Sequence, residues 1–142
     1  FCMRVGDSGG FDSGGSDYRA TSYLVDNDAI NTGSTDVIYT SQGATVGEIK
    51  FGGTTHGLSA RDIGNAAGEG LGGMMFLHRP GDGYTDPHWS GHVNYIDQNH
   101  YIMGGDVFGH RVSAITLDRF QCYFDSGNIT SGRMTIWGIA HA

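Results

Sequence analysis

The residues most indicative of catalysis form the motif Gly6-Asp7-Ser8-Gly9-Gly10, which matches the nucleophile motif of trypsin-like serine proteases. Such a serine needs a histidine base and an orienting aspartate, which a double barrel holds beside it. No histidine precedes the motif, and Phe11 stands where those proteases usually have proline. We therefore interpret the motif as a turn in which Asp7 and Ser8 cap their own backbone, and we expect no enzyme of this kind.

Several aspartates near the start of the chain have the chemistry of calcium ligands. Carboxylate oxygens suit Ca²⁺, which takes six to eight oxygen ligands. Their spacing matches neither an EF-hand nor a strict nonapeptide repeat, so solvated turn carboxylates are the simpler interpretation. These weak candidates are Asp7, Asp12 and Asp17, with Asp26 and Asp28 further along the chain.

His88 and His92 are the other weak candidates for a metal site, because four-residue spacing suits zinc on a helix. Pro87 and Gly91 argue against a helix here, so exposed loop histidines are favoured. The glycine-rich stretch Gly64–Gly73 lacks the lysine and the helix context of a phosphate-binding loop. We therefore expect no cofactor.

Aromatic residues are frequent in the middle of the chain, within a segment also rich in aspartate and histidine. Aromatic rings stack on the apolar faces of sugars while polar groups bind the hydroxyls. We predict a ligand-binding patch formed by Tyr84, Asp86, His88 and Trp89. Packing in the core or at a subunit interface is the competing interpretation of these aromatic rings.

Short apolar segments separated by glycine-rich turns position these residues. The pattern predicts strands over Phe1–Val5, Tyr18–Val25, Thr35–Thr40, Val46–Phe51, Met74–His78, His92–Met103 and Asp106–Leu117, with a turn at Asp26–Asp28 and a long loop over Gly52–Gly73. Two further apolar runs, Phe120–Phe124 and Met134–Ile139, predict a closing hairpin. No segment keeps a helical period over three turns, so we expect little or no helix.

These elements predict one all-β domain over residues 1–142, an antiparallel β-sandwich of jelly-roll type. The 142 residues allow a single core of ordinary size. The expected core residues are Met3, Val5, Tyr23, Val25, Ile38, Ile49, Met74, Phe76, Val93, Tyr95, Val112, Ile115, Phe120, Cys122, Phe124, Ile136 and Ile139. Because the chain begins inside an expected strand and without an initiating Met, we expect it to be part of a longer polypeptide.

The net charge of −7 comes from 15 acidic and 8 basic residues. A surface of this sign repels nucleic-acid backbones and anionic lipids, so neither partner is expected. No apolar run approaches the roughly 20 residues that span a bilayer. Cys2 and Cys122 both fall in expected strands, where two buried thiols are favoured over a disulfide.

Three stretches of the sequence resemble a group of tailed-bacteriophage virion proteins that end in a β-rich domain. They are Asp7–Gly14 with Tyr18 after it, Gly64–Gly70 before the strand at Met74, and Phe124–Ile139. The resemblance covers most of the chain but consists of turns and strands, so it carries over no catalytic residue. Relatives of this kind have additional strands before the position of Phe1. The resemblance implies a virion component.

From this resemblance and the expected fold, we expect a structural protein of the phage virion. The favoured role is a distal tail-fibre or spike domain that contacts the host surface, with a host glycan as ligand. The edges of the expected sheets need to be covered, and a neighbouring copy of the chain would cover them. We therefore expect a homotrimer that also contacts other virion proteins. The alternatives are a capsid-decoration protein and a module that binds or degrades polysaccharide.

Overall fold

The computed structural model describes residues 1–26, 37–50, 63–124 and 127–139. Within these ranges the chain forms β-strands and no helix, and therefore no helix that could cross a membrane. The strands are β1 (Cys2–Asp7), β2 (Gly10–Phe11), β3 (Tyr18–Asp26), β4 (Val37–Val46), β5 (Ile49–Lys50), β6 (Gly70–His78), β7 (His88–Ile96), β8 (Ile102–Arg111) and β9 (Arg119–Tyr123).

The strands form two antiparallel sheets. The larger sheet has the order β4-β3-β8-β7-β6. In the smaller sheet β1 pairs with β9 along one edge, and with the short strands β5 and β2 along the other. The pair β1–β9 therefore lies in the smaller sheet and the pair β3–β8 in the larger one. Together the two pairs resemble one long hairpin that is bent so that its two halves lie in opposite layers of the sandwich. The predicted all-β sandwich class is confirmed.

The core lies between the two sheets and follows the two-residue period of the strands. In β7, for example, Trp89, Val93 and Tyr95 face the core, while His88 and His92 face away from it. The buried cluster consists of Met3, Val5, Tyr18, Leu24, Ile49, Trp89, Val93, Tyr95, Met103 and Val107. Both sheets contribute to it, so its burial joins the two layers.

Tyr18 links the two sheets through its buried hydroxyl group. Strand β1 pairs with β5 at Cys2 and Met3 and with β2 at Gly6 and Asp7, which leaves a gap between these two short strands. The Tyr18 hydroxyl lies in that gap, where it accepts from the Val5 amide at 2.9 Å and lies 3.0 Å from the Val5 carbonyl. A side chain of the larger sheet thus replaces a missing strand of the smaller one.

The predicted hairpin at the end of the chain is half wrong. Its first run forms β9, but Met134–Ile139 forms no strand and its apolar side chains are exposed. Strand β6 begins at Gly70, earlier than predicted, inside the expected loop. A Cβ atom at Gly73 would lie 2.7 Å from the His92 carbonyl oxygen. The close approach of β6 and β7 at this position therefore requires glycine.

Five of the predicted core residues are exposed: Tyr23, Met74, Phe76, Ile136 and Ile139. The first three lie on the side of the larger sheet that faces away from the core, because the hydrophobic pattern does not state which face of a strand is buried. Asp26 is the last residue of β3 and not part of a turn. The rest of that predicted turn, residues 52–62 of the predicted loop and the side chain of Ile38 lie outside the described residues.

Cys2 and Cys122 are free thiols, as favoured from the sequence. The strands β1 and β9 are neighbours, but Cys2 is opposite Tyr123 and Cys122 is opposite Met3. Adjacent residues of a strand point to opposite faces of the sheet, so the two thiols lie on different faces. The register therefore prevents a disulfide between them.

Candidate binding surface

The side of the larger sheet that faces away from the core carries an ordered array of polar and aromatic side chains. We call this side the outer face and define it by three rows of residues on β6, β7, β8 and β3. The pairing register gives the rows His78-His88-His110-Arg19, Phe76-Ser90-Phe108-Thr21 and Met74-His92-Asp106-Tyr23. Neighbouring residues in a row are directly opposite one another, so their side chains are within contact distance.

Three histidines and an arginine form the first row. The rings of His78 and His88 stack, with centroids 4.9 Å apart and an angle of 14° between their planes. His110 Nδ1 lies 3.3 Å from Asp86 Oδ2, and His88 Nδ1 lies 3.2 Å from the Asp86 carbonyl oxygen. Asp86 therefore contacts two of the three histidines and fixes their orientation at one end of the sheet.

The other two rows combine apolar rings with polar pairs. His78 Nε2 lies 3.2 Å from Ser90 Oγ, which joins the first row to the second. In the third row His92 Nδ1 lies 3.0 Å from Asp106 Oδ1. The exposed rings of Phe76 and Phe108 flank Ser90 in the second row. The outer face thus offers flat apolar surfaces within reach of hydrogen-bonding groups.

Residues 79–87 join β6 to β7, and we call them the Tyr84 loop. Its centre is Asp82, whose carboxylate accepts from the Tyr84 amide at 2.9 Å, from the Thr85 hydroxyl at 2.9 Å and from Arg79 at 3.0 Å. The hydrogen bond from the Tyr84 amide is the largest cause that lowers the pKa of Asp82, followed by that from Thr85. The carboxylate therefore stays ionised and holds the loop in shape.

The two ends of the Tyr84 loop are bound to other parts of the chain. The Leu117 amide donates to the Pro80 carbonyl at 2.8 Å, and the Arg111 amide donates to the Pro87 carbonyl at 2.9 Å. The side chain of Tyr84 is 99% exposed. Because the ends of the loop are fixed, covering this ring with a ligand orders little additional backbone.

The structure keeps three of the four residues of the predicted patch together. Tyr84 and Asp86 lie in the Tyr84 loop, and His88 begins β7 directly after it. Trp89 is wrong as a surface residue, because it is 2% exposed and faces the core, where its ring lies 6.2 Å from that of Tyr18. Consecutive residues of a strand point to opposite faces of the sheet, so His88 and Trp89 cannot both belong to one surface patch.

Sequence reasoning missed most of the outer face. The histidines at positions 78 and 110 belong to strands far from His88 along the chain, and only the register brings them into one row. The hydrophobic pattern places the exposed ring of Phe76 in the core and does not predict Phe108 at the surface. Phe108 alternates with the buried Val107 in β8, a signal that the sequence did contain.

The weak aspartate candidates for metal ligation that the structure describes have other partners. Asp7 accepts from the Gly9 amide, Asp17 accepts from the Gly14 amide, and Asp12 pairs with Arg111 at 2.9 Å. Asp28 lies outside the described residues. Within the described ranges, no three His, Cys, Asp or Glu side chains are grouped so that they could hold a metal ion.

The two histidine candidates point to the same face of β7 but stand four residues apart on an extended strand, roughly 13 Å. They are therefore too far apart to share one ion. The hydrogen bond from the Gly9 amide to Asp7 confirms the part of the predicted cap that Asp7 provides. Ser8 lies in that exposed turn between β1 and β2.

Comparison of the chain with protein-family models, with curated proteins and with solved structures gives no match.

Proposed function

We propose that this protein is a non-enzymatic structural component of a tailed-phage virion, and that its outer face and Tyr84 loop bind a glycan on the host surface. The observation that carries the binding role is the fully exposed Tyr84 on a loop with both ends fixed, beside the row of three histidines. The virion context is supported by the resemblance in the sequence.

The chemistry of the surface fits a polysaccharide. Tyr84, Phe76 and Phe108 provide exposed rings for stacking on sugar faces. Asp86, Ser90 and the histidine nitrogens provide acceptors and donors for hydroxyl groups. The outer face belongs to one continuous sheet, so a linear glycan can contact successive rows without any rearrangement of the backbone.

The binding experiment uses the full chain and an array of bacterial lipopolysaccharides and capsular polysaccharides. We expect specific retention of some of these glycans. Tyr84→Ala and His88→Ala should each weaken that binding at least tenfold, a loss of about 1.4 kcal/mol. Phe11→Ala and His100→Ala are matched controls, because both residues are exposed and lie off the outer face. Loss of binding in the controls, or retention in both test variants, would contradict the assignment.

The same assay separates binding from degradation. If the chain were a depolymerase, incubation with a bound polysaccharide would release new reducing ends, and the proposal of a non-enzymatic role would fail. Paired carboxylates of a glycosidase stand about 5 to 10 Å apart across a cleft. On the outer face Asp86 contacts His110, which stands four residues from Asp106 along β8, roughly 13 Å, so these two carboxylates do not form such a pair.

A capsid-decoration role is the second candidate, and the exposed apolar residues Ile136 and Trp137 favour it, because such a segment can clamp neighbouring subunits. Gold-labelled antibody against the protein, imaged on purified particles, distinguishes the two roles. Label at the tail tip supports the host-contact role, and label spread over the head supports decoration.

A further inference from the structure

The last described segment, residues 127–139, carries apolar side chains that nothing in the described part of the chain covers. We call it the C-terminal arm. Trp137 is 84% exposed and Ile136 is 75% exposed, and Ile129, Met134 and Ile139 are exposed as well. The arm forms no strand and follows β9 after a short connection. So much exposed apolar surface on a short segment is typical of an interaction site.

The smaller sheet offers a matching acceptor at β9. Among the described residues β9 pairs with β1 alone, so its other edge has backbone groups that can accept a further strand. Residues 133–139 extend over roughly 23 Å and the five residues of β9 over roughly 17 Å, so the arm is long enough to pair with the whole of β9. An added strand satisfies the backbone of both segments.

The open edge of β9 lies on the side of the sandwich where β6 is located. Strand β5 lies on the β8 side of the sandwich, since a Cβ atom at Gly109 would come within 2.6 Å of Ile49. Because β9 is on the opposite side of β1, its open edge points toward β6. The Leu117 amide, just before β9, donates to the carbonyl of Pro80, just after β6.

The core side of β6 is incompletely covered at this place. Leu77 is opposite Trp89 and therefore faces the core side, yet it is 39% exposed. Met75 faces the same side and is only partly buried. A strand added to β9 extends the smaller sheet over both residues and removes their apolar surface from water.

We infer that the C-terminal arm of one copy adds as a strand to the open edge of β9 in a second copy. One chain carries both the donor and the acceptor, so identical copies complete each other by strand exchange. Within the described ranges the arm forms no strand and β9 pairs only with β1, so the arm does not pair with its own β9. It contains Arg133 and no acidic residue, so it approaches a chain of charge −7 without repulsion.

The first test measures the mass of the full chain by light scattering after size exclusion. We expect a mass of at least two chains of 15.2 kDa. The double variant Ile136→Asp with Trp137→Asp should be monomeric with an unchanged β-type circular dichroism spectrum. The control places the same two charges earlier in the arm, as Thr130→Asp with Ser131→Asp, and should remain oligomeric. A monomeric wild-type chain overturns the inference.

The second test distinguishes a second copy from the chain's own β9. Arg119→Cys and Thr135→Cys place thiols on β9 and on the arm, each in a separate variant of different tag size. A short bis-maleimide added to the mixture should give a cross-linked band that contains both tags. A third chain that carries both substitutions is treated in the same way. If this chain cross-links within itself and the mixture gives no band with both tags, the arm folds back as a hairpin and the inference is wrong.

Discussion

The hydroxyl group of Tyr18 is the atom whose removal tests the sandwich most sharply. Tyr18→Phe keeps the ring in the core and deletes one oxygen, which contacts the Val5 amide, the Val5 carbonyl and the Asp12 carbonyl. A hydroxyl has one proton, so it donates to one carbonyl at a time. The Val5 carbonyl also accepts from the Asp12 amide at 3.0 Å and keeps that bond in the variant.

The dominant loss is therefore the partner of the Val5 amide. Val5 is fully buried, so water cannot replace the hydroxyl. A buried donor without a partner costs about 1–3 kcal/mol, and we expect the free energy of unfolding to fall by that amount. Summing all three contacts would overstate the loss.

Urea unfolding followed by tyrosine and tryptophan fluorescence measures this difference. The matched control is Tyr23→Phe in the same strand, where the hydroxyl lies on the outer face and the residue is half exposed. The control should change stability by less than about 0.5 kcal/mol. Equal unfolding free energies for the two variants would refute the role of the Tyr18 hydroxyl.

Alkaline pH gives an independent measure of the same group. Burial, the largest cause, raises the pKa of Tyr18 to about 12 from the ordinary value of 10.0. The raised pKa means that the folded state favours the neutral phenol, so the stability is present below pH 10 and is lost as the pH rises toward 12. Two pH units correspond to about 2–3 kcal/mol, and Tyr18→Phe should lose that much less stability over the interval.

Three further outcomes follow from the structure. Burial raises the pKa of Cys122 to about 11, so at pH 8 neither it nor the buried Cys2 should react with a thiol reagent until the chain is unfolded; rapid reaction of the folded chain would contradict this. Trp89→Ala should lower the unfolding free energy by about 3–5 kcal/mol, whereas Tyr84→Ala should leave it unchanged in the same urea titration. Because the pKa of Asp82 is lowered, its contribution to the loop is present above pH 3.8 and is lost as the pH falls below that, and Asp82→Asn should speed hydrogen exchange at the Tyr84 amide at neutral pH.

Local patterns in the sequence were sufficient for the class of fold and for most strands. These patterns placed β9 correctly from the run Phe120–Phe124, but the strand predicted over His92–Met103 begins four residues inside β7 and runs into β8. They did not show which face each strand buries, since Met74 and Phe76 have core-like side chains on the outer face. The choice between two faces depends on the register across the sheet, which is a tertiary property.

The candidate site was likewise predictable from the sequence only in part. Tyr84, Asp86 and His88 are close along the chain, so a local reading could group them. The partners His78 and His110 come from other strands and become neighbours only through pairing with His88. The failed prediction of a strand at Met134–Ile139 has a different cause. An apolar run alone does not show whether its own domain provides a strand with which it can pair.

Hydrogen exchange of the full chain with and without a bound polysaccharide tests the outer face most directly. We expect slower exchange of backbone amides in the Tyr84 loop, in β7 from His88 to His92 and in β8 from Asp106 to His110. Protection confined to β1 and β9 of the smaller sheet, or no protection while the glycan is bound, would contradict the assignment of the outer face as the contact surface.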